Sequence, residues 1–186
     1  MRSLCIVGTV TLALAAAPAF AAQKTASRAR TSSDQTFVKK AAQGGLAEVE
    51  LGRLASDKAS NQQVKDFGKK MVDDHGKAND ELKSLAQSKN ITLPTDLSAQ
   101  DKALRDRLAK LSGAAFDRAY MQAMLKDHRT DVSEFRTESK KAGADPDVKQ
   151  WAAKTLPTLE SHLKMAQDDS KAVGTSGSMA TRKTKK

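Results

Sequence analysis

Between residues 34 and 171 the chain repeats one pattern. Apolar residues recur three and four apart, with Lys, Asp, Gln and Ala between them, which is the spacing of amphipathic helices. Phe37, Ala41, Gly44, Glu48 and Leu51 share the stripe of a first helix, opened at about residue 34 by the capping pair Ser32 and Gln35 and running to about Lys58. Val64, Phe67, Met71, His75, Ala78 and Leu82 mark a second helix, from the pair Ser60 and Gln63 to about Lys89, where Asn90 stops it. Residues 91–97, with Pro94 among them, read as a loop. Ser98 then opens a short helix with Leu104, Leu108 and Leu111 on one side. A third long helix spans about Ser112 to Lys141 along Tyr120, Met124, Val132 and Phe135, closed by Gly143. Asp145-Pro146 restarts the chain, because Asp caps and Pro suits a first helical position. The fourth helix runs to about Lys171 along Val148, Trp151, Thr155 and Leu159.

Helices of ~24 to 30 residues are rods of ~36 to 45 Å that cannot bury an apolar stripe alone. An all-α bundle is the expected result. The link between the second and third long helices, about 23 residues with its own short helix, is far longer than an adjacent hairpin needs. It predicts a ferritin-like four-helix bundle with a helical crossover between helices 2 and 3. An up-down bundle with an accessory helix is the alternative.

The three histidines of the chain are distributed one to a helix. His75, His128 and His162 each continue an apolar stripe and each lies near the middle of its helix. Midpoints meet at one height whether neighbouring helices are parallel or antiparallel. Glu48 holds the same place on the first helix, with Glu50 the alternative if that helix is rotated. Three imidazoles and a carboxylate at one level form a ligand set for one zinc, copper, nickel or iron ion. Asp131, three residues after His128 on the same face, is a further ligand candidate. A metal-free polar network in the core is the competing reading, since a buried His is commonly just hydrogen-bonded.

The segments Met71-Val-Asp-Asp-His75 and Met124-Leu-Lys-Asp-His128 echo one another, and each is followed by Glu and an apolar residue at matching distance. Asp74 and Asp127 point about 100° away from the His that follows. They read as solvated flanks or as groups that orient a ring on a neighbouring helix. Pro157, one turn before His162, predicts a kink. Gly44, Gly45 and Gly68 read as points of close helix approach.

Composition narrows the function. With 4% aromatic residues, 10 Gly and 4 Pro among 186 residues, a β-sandwich or barrel is excluded. The formal charge of +10 suggests nucleic acid until it is located: residues 34–171 carry 24 basic and 22 acidic side chains. The excess lies in the ends, so a nucleic-acid surface is not expected. Arg2, the apolar run Leu4 to Pro18 and Ala19-Phe20-Ala21 read as a cleaved signal peptide over residues 1–21. That places the mature protein in the periplasm or envelope, with no membrane span after cleavage. Cys5 falls in the leader, so the mature chain has no thiol for disulfides, nucleophilic catalysis or cysteine metal sites. Residues 22–33 are expected to form a disordered linker, 34–172 the bundle and 173–186 a disordered basic tail. The basic ends suit weak, salt-sensitive contact with anionic envelope polymers or lipid. No stripe suggests a large exposed apolar face, which favours a monomer or weak dimer. No Ser–His–Asp arrangement, phosphate loop or dinucleotide fingerprint is present, so a classical enzyme is not expected. The two functional readings are a mononuclear metal-binding bundle and a non-catalytic envelope interaction or stress module.

The runs Ala41-Ala-Gln-Gly-Gly-Leu-Ala-Glu48-Val-Glu-Leu-Gly52, Met71 to His75, Phe116-Asp-Arg-Ala-Tyr120, Asp127-His128 and Leu156-Pro157 through His162 resemble the bacterial exported family catalogued as domain of unknown function 4142. The resemblance covers about Gln35 to Lys171. It implies a ferritin-like four-helix fold, frequent export, a label as outer-membrane protein, and Glu48, His75, His128 and His162 as the family's Glu and His positions. Di-iron bundles use Glu-x-x-His pairs, whereas Val72, Leu125 and Leu159 stand three before the histidines here. Ferroxidase or iron-storage activity is therefore not expected.

Overall fold

The apolar stripes of the long helices turn toward one another, and the polar groups at their ends record which ends meet. The computed structural model describes the backbone of residues 19–183 and the side chains of residues 32–174. Five helices follow in order: α1 (Ala19–Lys58), α2 (Gln62–Ser88), α3 (Ala99–Ala109), α4 (Gly113–Lys140) and α5 (Pro146–Lys183). There is no strand among the described residues.

At one end of the bundle, Asp117 near the start of α4 accepts from the backbone N–H of Ser60 and of Asn61, both at 3.0 Å, and from the Ser60 hydroxyl. At the other end, Asp34 of α1 accepts from Lys141 Nζ at 2.5 Å and from the Asp145 N–H at 2.8 Å. Lys89, just past α2, pairs there with Asp145 and Asp147. These contacts make α1–α2 and α4–α5 antiparallel hairpins and set α1 against α4 and α2 against α5, again antiparallel. Helices α2 and α4 therefore point the same way. Residues 89–112 must return the length of the bundle, which is the crossover that the long link predicted. Its helix α3 is capped by Ser98, whose hydroxyl accepts from the Asp101 N–H at 3.1 Å. It seats Leu108, fully buried, and Leu104 against the core, joined by Leu111 just past its end.

Some local expectations are corrected. Asn61, not Ser60, caps α2: its side chain accepts from the Gln63 N–H, while the Ser60 hydroxyl is turned to Asp117. Helix α1 does not begin at a Ser32 cap. Its backbone is helical from Ala19, and the Ser32 carbonyl accepts from the Thr36 hydroxyl within it. The backbone is also helical over residues 22–33, within α1, and over residues 173–183, within α5. The leader expected over residues 1–21 lies, through residue 18, outside the described residues. No described helix is long and apolar enough to cross a membrane. Asn90 and Gly143 adopt positive φ (53° and 71°) at the ends of α2 and α4, and Asp145 caps α5 by accepting from the Asp147 and Val148 N–H groups.

The core has two apolar blocks. One gathers Leu51, Phe67, Met71, Phe116, Tyr120 and Met124; the other gathers Phe37, Leu82, Val132, Phe135, Trp151 and Leu159. On each long helix one buried polar residue falls between the two blocks: Glu48, His75, His128 and His162.

Helices α1 and α2 approach closely at Gly52 and Gly68. A Cβ on Gly68 would lie 2.7 Å from the Gly52 carbonyl oxygen and 2.9 Å from Ala55 Cβ. Gly68→Ala is expected to cost about 1–3 kcal/mol through overpacking against backbone. Gly44 has nothing within 4 Å of that position, so Gly44→Ala is expected to stabilise by about 0.5–1 kcal/mol through helix propensity. Urea midpoints of the two variants check the contrast.

Candidate metal centre

Each histidine reaches the middle of the bundle from its own helix: His75 from α2, His128 from α4 and His162 from α5. His128 and His162 are fully buried and His75 is 7% exposed. The ring centroids are 5.4 Å apart for His75–His162 and His128–His162, and 5.7 Å for His75–His128. One ring nitrogen from each can be chosen so that all three lie within 4.8 Å of one another. Nitrogens bonded to one ion at ~2.0–2.1 Å stand no more than ~4.2 Å apart, so a cation would ask the rings to draw in only slightly. Phe67 walls the cluster, its ring 6.0 Å from that of His128.

Hydrogen bonds assign the tautomers of two rings. His128 Nδ1 lies 3.0 Å from the Met124 carbonyl oxygen. A carbonyl only accepts, so Nδ1 carries the proton and Nε2 the lone pair. His162 Nε2 lies 2.9 Å from Asp74 Oδ2, so this N–H donates to the carboxylate and Nδ1 holds the lone pair. Asp74 itself is anchored by Lys70 at 2.8 Å. Of the two readings of Asp74, ring orientation across helices is the one its contact supports. His75 Nε2, His128 Nε2 and His162 Nδ1 are all buried without a hydrogen-bond partner. Each such orphan costs about 1–3 kcal/mol, and a single cation would satisfy all three. The donor set therefore fits a transition metal.

Burial holds the rings neutral. It pushes His75 down to about 3, helped by the neighbouring His128 and His162 rings, and His128 down to about 4, helped by His162. His162 is lowered too, again by burial, with Asp74 opposing. A His whose folded pKa is depressed leaves the unfolded chain binding more protons at acid pH, so the fold loses stability as pH falls below about 6.5 and continues to do so towards about 3. Relative to His75→Gln, the metal-free wild-type chain is expected to lose stability steadily across that window. Urea denaturation of both chains at several pH values measures it, and a constant gap would contradict it.

Glu48 and Asp131 form a second group beside the imidazoles, in touch with them through His128. Glu48 is the inward residue of α1, fully buried, while Glu50 is half-buried. Glu48 groups with Asp127 and Asp131, carboxylate oxygens within 4.8 Å of one another, and not with the three rings. Its Oε1 is 3.5 Å from His128 Nδ1, the nitrogen that is bonded to Met124. The set expected at one point, Glu48, His75, His128, His162 and Asp131, is thus divided into an imidazole group and a carboxylate group. The reason is helical phase: Asp131 follows His128 by three residues, which turns it by about 60° toward α1 and Glu48. Burial raises Glu48 well above the usual carboxylate range, reinforced by Asp127. Burial, then Asp127 and Glu134, pushes Asp131 up to about 8. Sequence reasoning missed the buried Asp117 and the unpartnered, buried Tyr120 hydroxyl. Only the Phe-Asp-Arg-Ala-Tyr run containing both could have drawn attention to them.

A cavity of ≈ 20 Å³, with room for about one water, is lined by His75, Asp131, Gly45, Asn79 and Trp151. It leaves a water-sized space beside His75.

The fold and this centre define an all-α bundle with a crossover and a buried three-histidine cluster. The chain belongs to the family described as domain of unknown function DUF4142, matched over residues 17–168. No curated protein matches it. Among solved structures it is similar to a DUF305 fragment from Deinococcus radiodurans, with TM-score 0.64 and 13% identity over 76% of this chain and 95% of that one. It is also similar to CopM in its Cu(I)-bound form (TM-score 0.61, 18% identity, 73% and 93% covered) and in its Cu(II)-bound form (0.63, 15%, 75% and 96%). At these identities the likeness is one of fold.

Proposed function

We propose that this chain is an exported envelope protein that binds one transition-metal ion on His75, His128 and His162, with copper the foremost candidate. The observation that carries the reading is the set of three buried, unpartnered imidazole nitrogens on three helices. Imidazole suits zinc, copper, nickel and iron, and among divalent ions copper binds most tightly to a given set of nitrogen ligands. The copper-bound CopM structures on a similar fold support that order. Export is supported by the charged start, apolar run and small-residue cleavage pattern of residues 1–21. The function that fits is capture and holding of the ion, with the protonated outer nitrogens of His128 and His162 fixed by Met124 and Asp74 so that the inner ones face the cation.

The test is loading of the chelator-stripped chain with Cu(II) and Zn(II), followed by elemental analysis. A single equivalent per chain at the imidazoles, lost in His75→Ala and in His128→Ala, is the expected result. A wild-type chain that retains neither ion overturns the reading.

A further inference from the structure

We propose a second cation site, built only from oxygen, where Glu48 of α1 meets Asp127 and Asp131 of α4. It takes a hard divalent cation of the manganese, magnesium or calcium class. This site is independent of the imidazole centre and stands whether or not that centre binds copper.

Three observations carry it. The carboxylate oxygens of the three residues lie within 4.8 Å of one another, which is twice the ~2.4 Å typical of a carboxylate–calcium bond. Glu48 is fully buried and neither of its oxygens has a hydrogen-bond partner. A buried carboxylate is normally paired or bound to a metal, and the neutral His128 ring, whose Nδ1 is 3.5 Å from Glu48 Oε1, turns its N–H to the Met124 carbonyl instead. Finally, the site has an approach of its own. Asp127 lines a cleft of ≈ 410 Å³ beneath the crossover helix α3, bounded by Leu104, Arg107 and Lys126, with Asp101 also on its wall. Asp131 lines the small cavity that also touches His75.

The chemistry of the two groups differs in kind. All-oxygen ligation from carboxylates selects hard ions, and three neutral nitrogens select softer ones. His128 lies between them, one nitrogen in the imidazole group and the other beside Glu48. The two sites therefore divide the ions between them.

Manganese(II) is the probe, because its electron paramagnetic resonance signal separates free from bound ion. The full chain is expected to bind Mn(II), and the His75→Gln/His162→Gln double variant to bind it unchanged. Glu48→Gln and Asp131→Asn, which keep side-chain size, are expected to weaken Mn(II) at least tenfold while copper uptake at the imidazoles persists. Calorimetric unfolding confirms that each variant is folded. The proposal is overturned by absence of Mn(II) binding at millimolar ion, by its survival in both carboxylate variants, or by its loss in the histidine double variant. Failure of copper binding with Mn(II) retained would remove only the imidazole reading.

Discussion

Addition of copper to the stripped chain, in hundredfold excess over its dissociation constant, is expected to raise the melting temperature on the order of 8–10 °C. An ion bound only by the native state stabilises it by about 2.7 kcal/mol at that excess, and a domain of this size gains roughly 3–4 °C per kcal/mol. The unfolded chain has the same three imidazoles, but they are separated by 53 and 34 residues of sequence and are not preorganised. His75→Ala is expected to abolish the shift, because two nitrogens cannot close the ligand set. Asp74→Asn is expected to keep the shift but move it to about 10–100-fold higher metal, since the group that orients His162 is weakened and not its ligand nitrogen. Differential scanning calorimetry over a metal series measures all three chains. A shift that persists at full size in His75→Ala would place the ion elsewhere.

Asp117→Ala is expected to cost about 3–4 kcal/mol, lowering the melting temperature by roughly 10 °C. Asp117 is 2% exposed and accepts from three donors at the α1–α2 turn: two backbone N–H groups and the Ser60 hydroxyl. Removal leaves these donors without their acceptor at a point where α4 is tied to the first hairpin. Hydrogen bonds to charged acceptors contribute about 1.5–3 kcal/mol each, and removals at one centre are not additive. Asp117→Asn, which still presents one carbonyl oxygen, is expected to lose roughly half as much. Asp66→Ala, on the exposed face of α2, is expected to stay within about 0.5 kcal/mol. Urea unfolding with equal m-values checks the series.

The helices and the crossover were legible because their signals are local. Stripes of Leu, Phe, Val and Met, the Ser98 cap and Asp145-Pro146 each act within a turn or two. Burial of His75, His128 and His162 was legible for the same reason, as each continues its own stripe. What could not be read was which polar groups meet across helices. Glu48 and Asp131 lie on inward faces, yet a rotation of about 60° between His128 and Asp131 sends the carboxylates to α1 and leaves the imidazoles to one another. The role of Asp74 depends on α5 standing beside α2, a fact no spacing within α2 contains. Ser60 read as a cap because its pattern was right. Asp117, 57 residues away, takes its hydroxyl and leaves the cap to Asn61.

The polar layer between the two apolar blocks has a topological consequence. His75 belongs to the α1–α2 hairpin, and His128 and His162 belong to the α4–α5 hairpin, so one ion would bind both halves of the chain at mid-length. The described residues contain no cysteine with which the two halves could be riveted covalently. A cation there would act as a removable rivet, closing a loop of chain whose entropy the free halves retain. Amide exchange in the two hairpins would then slow together on loading and recover together when the ion is withdrawn.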